Sequence, residues 1–164
     1  MESNNWPEAL TLTMDTPSTA SELLGSPDAV PWQGNTYMIL EKGTNRAMTF
    51  HLNRAHVEDL DEALSNKEDQ IWLCVEKNGY LGFHYPPFGG YLSCGEDFVV
   101  HARSQHLSSD ECFTLRHHPS GGYQLLSKLD GDKLWMVVTS DEGETLEVRE
   151  HGMTLWVFKK VSAS

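Results

Sequence analysis

Two stretches of this chain combine residue types that could recognise a ligand. The first is His84-Tyr85-Pro86-Pro87-Phe88-Gly89-Gly90-Tyr91, where aromatic rings crowd a Pro- and Gly-marked turn. Rings held by two prolines lose little entropy on binding and offer flat apolar faces to a sugar ring or an apolar ligand. The second is Asp130-Gly131-Asp132 followed closely by Trp135. Carboxylates can accept hydrogen bonds from sugar hydroxyls while an indole stacks beneath. The candidate ligand-binding residues are therefore His84, Tyr85, Phe88, Asp130, Asp132 and Trp135. Turns that face water are usually polar, so the aromatic one points to binding.

Catalytic and metal signatures are missing. There is no GxSxG elbow, P-loop, dinucleotide fingerprint, HExxH or paired CxxC. Eight histidines are scattered, and spacings such as His51 to His56 do not form a ligand set along a single strand, where side chains alternate. No metal or cofactor is expected. Cys94, on a strand beside Tyr91, reads as a packing thiol, and a nucleophilic role is the alternative. Cys74, Cys94 and Cys112 form an odd set without motif spacing, which suits a reducing, cytoplasmic compartment.

The net charge is -12, and no cluster of basic residues exceeds Lys159-Lys160. That excludes a phosphate-backbone binder and disfavours an anionic membrane surface. No apolar run reaches the roughly 18 residues of a membrane span, and the N-terminus has no signal-peptide pattern.

Positioning of these residues falls to strands. Residues 1–34 hold five acidic and no basic side chains and are interrupted by four prolines, which predicts an irregular tail. One helical turn is signalled there by Thr19 and Glu22. Residues 35–164 read as all-β: eleven or twelve short runs rich in Val, Thr, Tyr, Phe and Trp between turn residues. The segment 57–64 fits either a strand or a helix. Tyr37, Tyr80 and Tyr123 recur at 43 residues, as do Leu40, Phe83 and Leu126, and Met48, Tyr91 and Leu134. Trp72, Phe113 and Trp156 align as the fourth strand of each unit. Three units of about 40 residues with four strands each, about 35–78, 79–121 and 122–161, are the arithmetic of a β-trefoil. Six strands would close a barrel and three hairpins would cap it.

Asn78-Gly79-Tyr80-Leu81, Gly89-Gly90-Tyr91-Leu92-Ser93 and Ser120-Gly121-Gly122-Tyr123 resemble the Gly-x-Tyr-Leu strand of fascin-like trefoils. Gln70-Ile71-Trp72 resembles the Gln-x-Trp motif of ricin-B-like trefoil lectins. The resemblance covers 35–164 and implies the fold. Gln-x-Trp occurs in the first unit alone, and an early Asp is missing from the first two, so the ricin-type sites are not carried over. The function expected is a non-catalytic, lectin-like binding module, monomeric or dimeric. Its partner is a glycan or a small ligand that stacks on aromatic rings, with a protein surface as the other class. The alternatives are a small all-β enzyme or cyclase with an aromatic- and His-lined pocket, a protease inhibitor and a fascin-like actin binder.

Overall fold

The computed structural model describes residues 29–60, 67–95, 97–129, 133–141 and 143–161. The helical turn expected near Thr19 lies outside them. The described residues form twelve strands. The first unit comprises β1 (Thr36–Glu41), β2 (Arg46–His51), β3 (Arg54–Asp59) and β4 (Trp72–Lys77). The second comprises β5 (Tyr80–Tyr85), β6 (Gly90–Cys94), β7 (Val100–Ser104) and β8 (Phe113–His117). The third comprises β9 (Tyr123–Ser127), β10 (Trp135–Thr139), β11 (Leu146–Arg149) and β12 (Trp156–Val161). The start of the ambiguous segment belongs to β3, which runs through Asp59 with Val57 fully buried, and residues 61–64 lie outside the described residues.

First and last strands of each unit pair antiparallel: β1 with β4, β5 with β8, β9 with β12. Each last strand also pairs with the next first strand: β4 with β5, β8 with β9, β12 with β1. These six pairings close a six-stranded barrel. The remaining strands form the hairpins β2–β3, β6–β7 and β10–β11. The fold is a β-trefoil.

Cross-strand partners show which residues are equivalent. Tyr37 faces Trp72, Leu81 faces Phe113, and Tyr123 faces Trp156. Glu41 faces Arg46, Tyr85 faces Gly90, and Ser127 faces Trp135. The fourth-strand alignment therefore stands, but the constant 43-residue period on the first strand does not. The equivalent positions are Tyr37, Leu81 and Tyr123, spaced 44 and 42. Two residues further on come Ile39, Phe83 and Leu125, all buried. On the second strand the core positions are Met48, Leu92 and Val137, one residue on from Tyr91 in unit two. A one-residue slip swaps the core and solvent faces of a strand. Tyr80 thus faces outward beneath the Lys128 ammonium.

Two constructions repeat around the pseudo-threefold axis. The Trp72 indole donates to the Met48 carbonyl at 3.1 Å, and Trp156 donates to the Val137 carbonyl at 3.0 Å. Phe113 occupies that position in unit two and has no donor. At the hairpin cap, the turn residue of one unit accepts a backbone hydrogen bond from the third strand of the next. Ala102 N–H donates to Asn53, Val148 N–H to Phe98 and Val57 N–H to Glu144, each at 2.9–3.0 Å. Single β-bridges beside these bonds follow the same cycle: Arg54 with His101, Val99 with Glu147, and His56 with Thr145. Inside the barrel Phe158 sits among Tyr37, Phe83 and Tyr123, with ring centroids 5.6–6.1 Å apart.

Trp156→Ala should destabilise the chain by about 3–5 kcal/mol in urea or guanidinium unfolding, because a large buried side chain leaves a cavity. Trp156→Phe should lose less, since Phe113 already fills the equivalent place. A near-neutral alanine variant would contradict the position of Trp156 in the core.

Candidate functional site

The structure describes four of the six sequence-derived candidates, His84, Tyr85, Phe88 and Trp135, and separates them. Tyr85 ends β5 with its side chain turned inward and only 4% exposed. Its ring stacks on Phe50 at 4.2 Å and leans on Trp72 at 5.7 Å. Its hydroxyl donates to the Asp69 carboxylate at the end of the 3₁₀ turn Lys67–Gln70. Burial, and then this carboxylate, raise the phenol well above its usual range. Tyr85 therefore belongs to the interior, and its expected role as a stacking face is corrected. The physical reason is its equivalence to Glu41 and Ser127, which are also buried at the barrel rim.

Phe88 is the exposed member of this turn, 59% accessible, with one side against Phe50 at 5.2 Å. It rests on Phe50 and not on Trp32, which lies near Tyr37 with its backbone N–H on the tyrosine hydroxyl. The turn needs glycine at 90: a Cβ there would lie 2.1 Å from the Ala102 carbonyl oxygen. His84 is half-buried and its ring meets Tyr91 directly across the strand pair, 4.7 Å away.

Asp130 and Asp132 lie outside the described residues. Trp135 opens β10 as a half-buried ring, with Lys133 Nζ 5.2 Å above it. Lys133 also pairs with Glu150 at 3.2 Å. The Trp135 indole N–H is buried and has no acceptor among the described residues. A residue that sequence reasoning missed joins it. Phe98, in the β6–β7 turn, lies 5.4 Å from Trp135 and is 44% exposed. Its φ is 61°, in the left-handed region that bulky side chains avoid. The equivalent turn residue in unit one is Asn53, at φ 65°, a residue suited to that conformation. The backbone there is set by the trefoil, so the ring of Phe98 is present at a conformational cost. The sole sequence signal is an aromatic residue inside a Gly-Glu-Asp-Phe turn.

Beside this pair, Asp97 accepts a hydrogen bond from His101 Nε2 at 2.8 Å and one from Val99 N–H. Partial burial pushes the Asp97 carboxyl up, but these hydrogen bonds and the His101 charge outweigh it and hold the group below its usual range. The Gln70 amide donates to Thr49 Oγ1 at 3.2 Å inside the core, so the Gln-x-Trp residue is structural. Its counterparts are also engaged: Glu111 accepts from Ser108, and Thr154 Oγ1 accepts from Thr139 N–H. Cys94 is fully buried and its thiol is pushed up to about 12, chiefly by burial, so it stays protonated at neutral pH.

No protein-family model matches the chain, and neither does any curated protein sequence. Solved structures do. SeviL bound to asialo-GM1 saccharide is 16% identical, with a TM-score of 0.62 over 78% of this chain and 98% of that one. The Polyporus squamosus lectin, bound to the epitope Neu5Acα2-6Galβ1-4GlcNAc, is 14% identical, with a TM-score of 0.62 over 79% of this chain and 50% of that one. The GlcNAcα1-4Gal-releasing endo-β-galactosidase from Clostridium perfringens is 14% identical, with a TM-score of 0.67 over 79% of this chain and 33% of that one. This chain spans a third of the endo-β-galactosidase and half of the Polyporus lectin. At these identities the likeness is one of fold, and it does not single out the fascins.

The Asp97–His101 pair sets a pH dependence. Because the folded Asp97 pKa is lowered, its stabilisation is present above the unfolded value of about 3.9 and is lost as pH falls through the folded value. Asp97 is more than half exposed, so solvent screening keeps the effect small. Asp97→Asn should flatten the acid limb of stability measured by urea unfolding between neutral pH and pH 3. An unchanged acid limb would contradict this assignment.

Proposed function

We propose that this protein is a non-catalytic carbohydrate-binding module, and that its site is the aromatic pair Phe98–Trp135 where the rims of units two and three meet. The observation that carries the reading is Phe98 itself: a bulky ring held half-exposed against an indole by a backbone conformation that disfavours it. Such strain concentrates at functional positions. Two adjoining rings offer an apolar platform to the flat face of a hexose. Lys133 and Glu150 supply polar groups for hydroxyls. The trefoil fold shared with glycan-bound lectins supports the class of ligand. The net charge of -12 favours neutral glycans over anionic ones. The free, buried state of Cys74, Cys94 and Cys112 supports a reducing, cytoplasmic setting.

Phe88 supports a second reading. It is the more exposed ring and stands over Phe50, so unit two offers a smaller, single-ring platform. The two readings separate on a glycan array. Wild type should bind a neutral glycan, and Phe98→Asn should abolish binding while keeping or raising stability, because asparagine suits the turn. Loss of binding with Phe88→Ala but not Phe98→Asn would move the site to the Phe88 turn. A wild type that binds no glycan overturns the lectin reading.

A further inference from the structure

The hairpin β2–β3 gathers a group that a strand-by-strand reading does not reveal. Its connection is the two-residue turn Leu52-Asn53, with φ 50° and 65° at the two positions. Positive φ at both central residues is the mark of a tight turn whose twist matches that of the flanking strands. The turn sets His51 opposite Arg54 and Thr49 opposite His56. His51 and His56 are therefore diagonal neighbours on one face, and their rings stack at 5.1 Å. Glu58, two residues beyond His56, returns to the same face and lies 2.5 Å from His56 Nε2. One ligand atom from each of the three lies within 4.8 Å of the others.

We propose that His51, His56 and Glu58 bind one divalent transition-metal ion of the zinc class. Two imidazoles and a carboxylate form a mixed nitrogen and oxygen donor set suited to zinc, and solvent completes the tetrahedron. Bonds of about 2.1 Å place tetrahedral donors about 3.4 Å apart, so the present spread closes by rotation of side chains. Those side chains can move: His51 and Glu58 are exposed and His56 is half-buried. Calcium and magnesium, which need six or more oxygens, do not fit three donors of this kind. Arg54 shares the face and opposes a cation, but its side chain is solvent-exposed and the Glu58 carboxylate offsets its charge.

The metal would also strengthen the cap. It ties β2 to β3 beside Asn53, whose carbonyl accepts the Ala102 N–H of the next unit. Binding to the folded state alone raises apparent stability. This inference is independent of carbohydrate binding, since the hairpin belongs to unit one and the Phe98–Trp135 platform to units two and three.

The test is isothermal titration of the full chain with zinc chloride after chelation and desalting. Wild type should take up one equivalent through this site. Each of His51→Ala, His56→Ala and Glu58→Gln should weaken that binding at least tenfold, while His117→Ala, on a different strand, leaves it unchanged. Circular dichroism checks that each variant is folded, and thermal unfolding gives a second readout. The melting temperature of wild type should rise with zinc, and that of His51→Ala/His56→Ala should not. Wild-type affinity and stoichiometry in the folded double variant, or no zinc uptake by wild type, would overturn the proposal.

Discussion

Everything else in this molecule rests on closure of one ring of backbone hydrogen bonds. Asn53, Phe98 and Glu144 each offer a turn carbonyl to the third strand of the following unit, and the third unit returns to the first. An isolated unit would leave those carbonyls and its strand edges open, and it would expose the apolar rows on its first, second and fourth strands. Three units around an axis satisfy all of these at once. The barrel adds the same logic in side chains, with Phe158 filling the centre between Tyr37, Phe83 and Tyr123. The fold is therefore collective: each unit completes its neighbour's hydrogen bonds.

Where the backbone is threefold, the side chains at the rim are not. The position equivalent to Trp135 is Arg46 in unit one and Gly90 in unit two. Arg46 ion-pairs with Glu41 and donates to the Gly143 carbonyl, and Glu41 also accepts from Thr44 and Thr139. That network locks unit one to unit three. Gly90 lets the backbone of β6 come so close to Ala102 that no side chain fits. Two of the three equivalent sites are thus committed to structure, and the third carries an indole with a buried, unmatched N–H among the described residues.

The architecture was legible because strand lengths, turn residues and the fourth-strand aromatics repeat. Trp72, Phe113 and Trp156 are large and buried, so their spacing survives. The first strands misled: a tyrosine every 43 residues looks like a core position, yet in unit two the equivalent position is Leu81, partly buried against the core, and Tyr80 is its outward neighbour. Period alone cannot detect a connection one residue longer in one unit and one shorter in the next. Tyr85 looked like a binding residue because its neighbours are turn residues, but a strand alternates, and parity with Phe83 sends it inward. His51 and His56 looked unrelated along a strand and become neighbours across a hairpin. Phe98 was out of reach, because nothing in the residue type announces a left-handed backbone.

Phe98 also shows why the candidate site stands where it does. Its carbonyl is held by Val148 whatever side chain it bears, and the same bond holds Asn53 and Glu144 in the other units. The turn is thus secured by backbone contacts, which frees its side chains to differ without loss of the fold. Asparagine at 53 satisfies the local conformation. Phenylalanine at 98 opposes it, and local preference then conflicts with the global structure at a position the core does not need. Conflicts of that kind collect where a surface serves something beyond folding. What this one obtains is a second ring beside Trp135. Phe98 set against Trp135, at a rim position held by Arg46 and Gly90 in the other units, is the feature that distinguishes this rim from the other two.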